Sequence, residues 1–360
     1  MTRKFGLIML VALLGSCSFA QNEQRHVPPN FQQKDASFDD FNYPKVEMTI
    51  GMIGDILLHH PLYTYEDYTD SFAEVKDIMT DIDFLLANQE SMPGGKDFGY
   101  SGYPAFNSPA HIIDGLKNVG VDMVSIANNH TLDYGEKGIR AAIHNIKTYD
   151  MPYVGAYLSD EDQNEARIFT INQISLGFLA YTYGTNGIPT PKGKDYLVAR
   201  IDPDRIAREV EELKKRVDVV VVSMHWGNEY ELTANETQVK LAQVIADAGG
   251  DIIFGHHPHV LQQVERLQGV HGNDTIVYYS LGNFYSGQKF KYTDIGGIAH
   301  LTIVKDRNQS SPITLEAPTF YPTAVTKDER GVFKVVPLEI VEQEKNVTHD
   351  WVLEHMQVKN

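Results

Sequence analysis

Three histidines fall within four positions in Gly255-His256-His257-Pro258-His259, a density that packing alone does not explain. Pro258 disfavours α geometry for His257, so the segment is expected to be extended. Residues two apart then share a face, so His257 and His259 are expected to point together as metal ligands and His256 away from them. His225 ends an apolar run in Met224-His225-Trp226-Gly227, and Glu229 or Glu231 just beyond it could orient its ring. In Asn128-Asn129-His130 the Asn129 amide oxygen can ligate a metal and His130 can protonate a leaving group, with Asn128 in support. Asp55 and Glu90 add carboxylates suited to a hard or borderline cation. Each has a plainer alternative when read singly: a turn aspartate, a surface ion pair, an Asn-rich turn, a satisfied core histidine. As a set, Asp55, Glu90, Asn129, His225, His257 and His259 offer nitrogen and oxygen without sulfur. That set fits one or two divalent transition ions, manganese, iron or zinc, with Glu90 able to serve both. Two-metal sites favour hydrolysis at phosphorus or acyl centres.

Something must bring these distant residues together, and the chain pattern supplies it. Val46–Ile53 reads as a strand ending at Gly54-Asp55, and a short apolar run over 81–86 leads to Glu90. Ser108-Pro109 reads as the start of a helix, serine as its cap and proline at its first position. The strand over 121–127 runs into the Asn-Asn-His cluster. Asp202-Pro203 caps a helix with Ile206, Val210, Leu213 and Val217 at helical spacing. The β-branched run over 219–224 has the continuous apolar character of a buried parallel strand and delivers His225. A helix over about 236–248 ends at Gly249-Gly250, and a strand over 251–254 delivers the histidine cluster. Every polar cluster thus follows a strand, and in open α/β sheets ligands bind beyond the carboxyl ends of strands.

The 360 residues suffice for one large domain or two small ones, and 42% hydrophobic content is ordinary for a globular fold. A net charge of −17 argues against nucleic acid and against broad contact with anionic lipid. Arg3 and Lys4 precede an apolar run from Phe5 to Leu14, too short to span a bilayer. Leu14-Gly15-Ser16-Cys17 resembles a bacterial lipobox, which makes Cys17 the expected lipidation site. It is the only cysteine, so no disulfide forms within the chain. Residues 1–17 are therefore expected to be a lipoprotein signal and residues 18–45 a polar tether reaching on the order of 30 Å. A domain over 46–342 and a tail over 343–360 complete the expected organisation. The expected location is extracytoplasmic, lipid-anchored to a bacterial membrane.

Several motifs together resemble the CapA family, capsule-synthesis proteins tied to poly-γ-glutamate. They are Gly51-Met-Ile-Gly-Asp55, Ala87-Asn-Gln-Glu90, Ala127-Asn-Asn-His130 with Asp133-Tyr-Gly135, His225-Trp-Gly227, Gly255-His-His-Pro-His-Val260 and Tyr279-Ser-Leu-Gly-Asn-Phe284. More distantly, the family resembles calcineurin-like metallophosphoesterases. That likeness implies a four-layer α/β/β/α sandwich. It further implies that Asp55, Glu90 and His259 hold one metal, that Glu90, Asn129, His225 and His257 hold the other, and that His130 is the general acid. One departure stands out: the first motif of those phosphoesterases is Asp-x-His, and here its third position is Leu57, leaving His59 or His60 as a substitute. The resemblance implies a part in making, exporting or retaining the polymer, with an anionic polymer or phosphoester as substrate and other capsule-synthesis proteins as partners. A metal-dependent hydrolase unrelated to capsule, and a non-catalytic polymer-binding protein, are the alternatives.

Overall fold

The computed structural model describes residues 44–309 and 312–358. The expected signal, Cys17 and nearly all of the tether lie outside the described residues. The strands in chain order are β1 (Lys45–Leu57), β2 (Phe84–Gln89), β3 (Val121–Ser125), β4 (Tyr153–Val154) and β5 (Arg167–Ile171). Then come β6 (Ile174–Thr182), β7 (Val219–His225), β8 (Ile252–His256), β9 (Val264–Gln268) and β10 (Asp274–Tyr278). The last five are β11 (Asn283–Ser286), β12 (Ile295–Asp306), β13 (Ile313–Leu315), β14 (Thr319–Lys327) and β15 (Phe333–Pro337). The α-helices are α1 (Thr69–Phe72), α2 (Lys76–Thr80), α3 (Ile112–Lys117), α4 (Gly135–Thr148), α5 (Asp160–Asn164), α6 (Pro203–Lys214), α7 (Glu236–Asp247), α8 (Leu338–Lys345) and α9 (His349–Met356).

Two sheets form. The first runs β15-β14-β12-β1-β2-β3-β4, with β11 and β13 pairing β1 and β12; the second runs β5-β6-β7-β8-β10-β9. In the first, β1, β2, β3 and β4 are mutually parallel; in the second, β6, β7, β8 and β10 are. Strand alternation sorts the apolar side chains into layers. Met48, Ile50, Met52, Phe84 and Leu86 pack across to Leu176, Phe178, Val219, Val221, Ile252 and Phe254, forming a core between the sheets. Phe84 of β2 and Phe178 of β6 stack across that core at 4.9 Å. The alternate residues turn outward to helices: Ile53, Leu85 and Val124 toward α3 and α4 on one side, and Val220, Val222 and Ile253 toward α6 and α7 on the other. This is the expected four-layer α/β/β/α sandwich. Each fully buried valine or isoleucine contributes about 1.5–3 kcal/mol, so a charge introduced into the 219–222 run would unfold the second sheet.

Local signals explain most element limits. The Asp202 carboxylate accepts from the Arg205 amide at 3.1 Å and Pro203 opens α6, as the sequence predicts. Asn235 and Gln238 form a reciprocal cap on α7. The Ser108 expectation fails: α3 begins only at Ile112, and the Ser108 hydroxyl donates instead to the Ser91 carbonyl, tying two site loops together. β1 also runs past Gly54 to Leu57, with an irregularity between Asp55 and Ile56 that re-aims the aspartate. The described part of the expected tail packs on the domain: Val347, Val352, Met356 and Val358 are buried against the inter-sheet core. No described helix is long and apolar enough to cross a membrane.

Candidate metal centre

The carboxyl ends of the parallel strands of both sheets meet at one place. Asp55 comes from β1, Glu90 from just past β2, Asn128 and Asn129 from beyond β3, His225 from the end of β7, and His256, His257 and His259 from the end of β8. Two glycines permit the approach. A β-carbon on Gly54 would lie 2.2 Å from the Gly282 carbonyl, and one on Gly255 would lie 2.0 Å from that of Tyr279.

Asp55 is fully buried and well partnered. Asn88 Nδ2 donates to one of its oxygens at 2.8 Å, where His256 Nδ1 also lies at 3.1 Å, and His259 Nδ1 lies 3.1 Å from the other. Burial would raise its pKa, but the bonds to His256 and His259 hold it well below the usual carboxylate range. Asn283 Oδ1 is a second partner of His259 Nδ1, at 3.0 Å. His225 Nε2 lies 2.9 Å from Asn129 Oδ1 and 3.6 Å from Glu90 Oε1. Its Nδ1 faces Asn88 Nδ2 at 3.4 Å. Burial pushes His225 well below the ordinary imidazole range, and it drives His257 down to about 3, so both are neutral, the ligating form.

Glu90 is the exception. It is fully buried, yet neither carboxylate oxygen has a hydrogen-bond partner, and His257 Nδ1 is likewise unpartnered. Burial pushes the Glu90 carboxyl well above its usual range, Asp55 and Glu229 add to that, and His259 opposes it. Donor atoms of Asp55, Glu90 and His225 lie within 4.8 Å of one another, and so do those of Glu90, His257 and His259. Both sets share Glu90, but they divide His225 and His259 the other way round from the division that the family resemblance implies. Burial would lower the pKa of His259, but Glu90 and Asp55 hold it at about 9. A buried carboxylate with no hydrogen-bond partner, beside the neutral imidazoles of His225 and His257 and the His259 ring, fits a divalent cation that displaces the His259 proton.

The backbone reaches this arrangement by a route the sequence does not reveal. His257 and His259 have φ of +95° and +59°, so the segment is not extended. The chain reverses after β8, and left-handed residues on either side of Pro258 bring both rings into the site, 5.9 Å apart. His256 does not point away; it holds Asp55. Glu229 and Glu231 are exposed and bond elsewhere, so the partners of His225 are Asn129 and Asn88 instead. Neither His59 nor His60 joins either donor set. His59 turns to the Leu57 carbonyl and packs its edge on Phe106, and His60 is exposed against Tyr63.

Beside the donors stands a second group. His130 Nδ1 lies 2.7 Å from Asp133 Oδ2, and Asn186 Nδ2 lies 3.3 Å from the same nitrogen. The shorter contact favours a proton on Nδ1 directed at Asp133, which leaves Nε2 free to exchange one. Asn186 also accepts from Asn129 Nδ2 at 3.2 Å, so it couples the two groups. Asn128 supports the turn by accepting from the His130 amide at 2.9 Å. Asn186 and Tyr183, whose ring lies 4.6 Å from that of His257, come from the loop after β6, which carries no recognisable motif. Asn88 and Asn283 do lie within motifs, yet nothing in their spacing assigned them a role.

Comparison with known proteins places the chain in a family. Residues 49–288 match the family described as bacterial capsule synthesis protein PGA_cap. The chain is 33% identical over 217 residues to the PGA biosynthesis protein CapA of Bacillus subtilis, covering 59% of this chain and 55% of that one. It is 30% identical over 262 residues to the capsule biosynthesis protein CapA of Bacillus anthracis, covering 69% and 62%. The chain thus spans less than two thirds of the length of either relative. Among solved structures, a candidate 5′-nucleotidase from Staphylococcus aureus in complex with α-ketoglutarate superposes with a TM-score of 0.50 at 15% identity, covering 79% of this chain and 56% of that one, a likeness of fold alone. The match over 49–288 makes the chain a member of the bacterial capsule synthesis protein family PGA_cap.

Proposed function

We propose that this protein acts in the synthesis, export or retention of poly-γ-glutamate, through a buried centre that holds one or two divalent transition ions and carries out metal-dependent hydrolysis or transfer. The family match and the names of the relatives support the polymer. One observation carries the centre: Glu90, fully buried, with both oxygens unpartnered between His225, His257 and His259. Asp55, Glu90, Asn129, His225, His257 and His259 would hold the ions. Bound there, a divalent ion supplies Lewis acidity to a scissile amide or phosphoester. The residues of the chain do the rest. Asn88 and His256 fix the Asp55 carboxylate, and Asn129 fixes His225. Asp133 orients His130, which exchanges a proton with the leaving group from Nε2.

Leu57 favours a second reading, in which the centre binds polymer without turning it over, because the position of a further first-motif ligand is apolar. The anchor is also part of the proposal and rests on the sequence motif alone: Cys17 carries lipid and the domain works outside the membrane. Metal analysis of the full-length protein tests the centre. Wild type is expected to retain a transition ion and the His257→Ala, His259→Ala double variant to lose it; retention by the variant sinks the assignment. Metal-dependent release of short products from poly-γ-glutamate or from a phosphodiester supports catalysis. A metal-loaded protein inert on both supports the binding reading. Radiolabelled palmitate incorporation abolished by Cys17→Ala tests the anchor.

A further inference from the structure

Of the eight large hydrophobic side chains that are exposed among the described residues, Tyr183, Tyr230 and Phe290 stand at the mouth of the buried centre. Such a concentration marks a binding surface rather than chance exposure. Tyr230 packs on the His259 ring at 6.3 Å, and Phe290, 61% exposed, lies 4.8 Å from Tyr230. Phe290 sits at the tip of a turn, between Lys289 and Lys291. The base of that turn is tied to the centre itself. Asn283, which contacts His259, also donates to Gln288 Oε1 at 2.9 Å and to the Thr293 carbonyl at 2.8 Å. Thr293 in turn donates to the Phe290 carbonyl through its hydroxyl at 2.8 Å. Both lysines are exposed, and among the described residues neither forms an ion pair. Lys291 lies 4.5 Å over the Tyr292 ring. On a chain of net charge −17, two unpaired cations flanking an exposed ring next to a buried cation site form a local inversion of sign.

We propose that the Lys289-Phe290-Lys291 turn is a subsite that grips a flexible chain bearing repeated carboxylates as it enters the buried centre. The lysines take successive carboxylates, and the faces of Phe290 and Tyr230 take the aliphatic stems and amide planes between them. Glu229, hydrogen-bonded to Tyr230, and Glu231, exposed on the other side of Tyr230 in the chain, are acids at this mouth, and they limit the grip to the lysine side. The inference rests on the reading of the centre as one that handles a carboxylate polymer, and it specifies a length requirement which that reading does not contain.

The probe is a fluorescent γ-linked glutamate decamer, with the unlabelled dimer as competitor, on full-length metal-loaded protein. The decamer is expected to bind, the dimer to compete poorly, and Lys289→Ala with Lys291→Ala to weaken the decamer about tenfold. Lys289→Arg with Lys291→Arg restores binding. Phe290→Ala weakens it while leaving the salt dependence unchanged, because only the lysines carry that dependence. Equal decamer affinity in wild type and the double alanine variant overturns the subsite, as does failure of wild type to bind. Binding of a neutral chitin tetramer that depends on Phe290 and not on the lysines also overturns it, in favour of a glycan. The His257→Ala, His259→Ala protein separates the two claims. If wild type holds no metal, the reading of the centre fails, while the lysine effect still decides the subsite.

Discussion

Glu90 and Asp251 are both carboxylates inside the same sandwich, and they live under opposite conditions. Asp251 opens the strand that becomes β8 and is 5% exposed. The Lys214 ammonium donates to both its oxygens, at 2.9 and 2.8 Å, and the Val220 amide donates to one at 2.7 Å. Glu90 is more deeply buried and accepts no hydrogen bond, with the nearest imidazole nitrogens 3.6 and 3.9 Å from Oε1. Burial raises the pKa of both; at Asp251 a hydrogen-bonded ammonium opposes it, whereas at Glu90 the His259 ring does so from 3.9 Å. The lesson concerns purpose. A structural carboxylate comes with its charge answered, and it ties α6 to β7 and β8. A buried carboxylate left without a hydrogen bond among imidazoles answers something brought from outside.

Breaking each carboxylate separates the two. Asp251→Ala strands Lys214 and the Val220 amide and is expected to cost about 3–5 kcal/mol, read by urea denaturation, with metal content unchanged. Chelation should lower wild-type stability by about 3–4 kcal/mol when free metal had stood at 100 to 1,000 times its dissociation constant. Asp251→Ala should show that same chelator loss, and Glu90→Gln should not.

Acid sharpens the contrast further. His257 is held neutral, with its pKa near 3 when folded against an ordinary value of 6.5. The unfolded chain therefore binds more protons through this window. Stability from His257 is complete above about 6.5 and is lost as pH falls toward 3, with His225 shifted in the same direction. Metal affinity is expected to fall between pH 7.5 and 5.5 through His259 instead: burial lowers its pKa, but facing Glu90 and Asp55 raise it to about 9, and the ligating form must lose that proton. A metal titration repeated at pH 7.5 and 5.5 checks this; equal affinity at both contradicts it. The smallest effect expected is from Asn186→Ala. It should leave metal content intact and lower turnover about tenfold, with a displaced pH–rate profile, because Asn186 touches His130 and, of the residues that would hold metal, the Asn129 amide nitrogen rather than its ligating oxygen.

Much of this was legible in the chain. Continuous β-branched runs marked buried parallel strands, and polar clusters directly after them placed Asp55, Glu90, Asn129 and His225 at carboxyl strand ends. The misreadings share a cause. Local rules assigned His257 and His259 an extended backbone and sent His256 outward, yet tertiary demands turned the chain twice into the left-handed region. Ser108 looked like a cap because its neighbours suit one, but its hydroxyl serves a contact 17 residues away. Asn186 and Tyr183 were invisible, since a lone amide or ring on a loop carries no spacing, and only the fold brings that loop to His130 and His257. The same holds for Asn88 and Asn283, whose partners lie 33 and 24 residues distant.

The most direct test is metal stoichiometry in full-length protein stripped by chelation and reloaded, comparing wild type, Asp251→Ala and Glu90→Gln. Wild type and Asp251→Ala are expected to take up at least one equivalent of manganese, iron or zinc per chain, and Glu90→Gln to take up none or to release it on dialysis. Equal retention by Glu90→Gln and wild type would contradict the account.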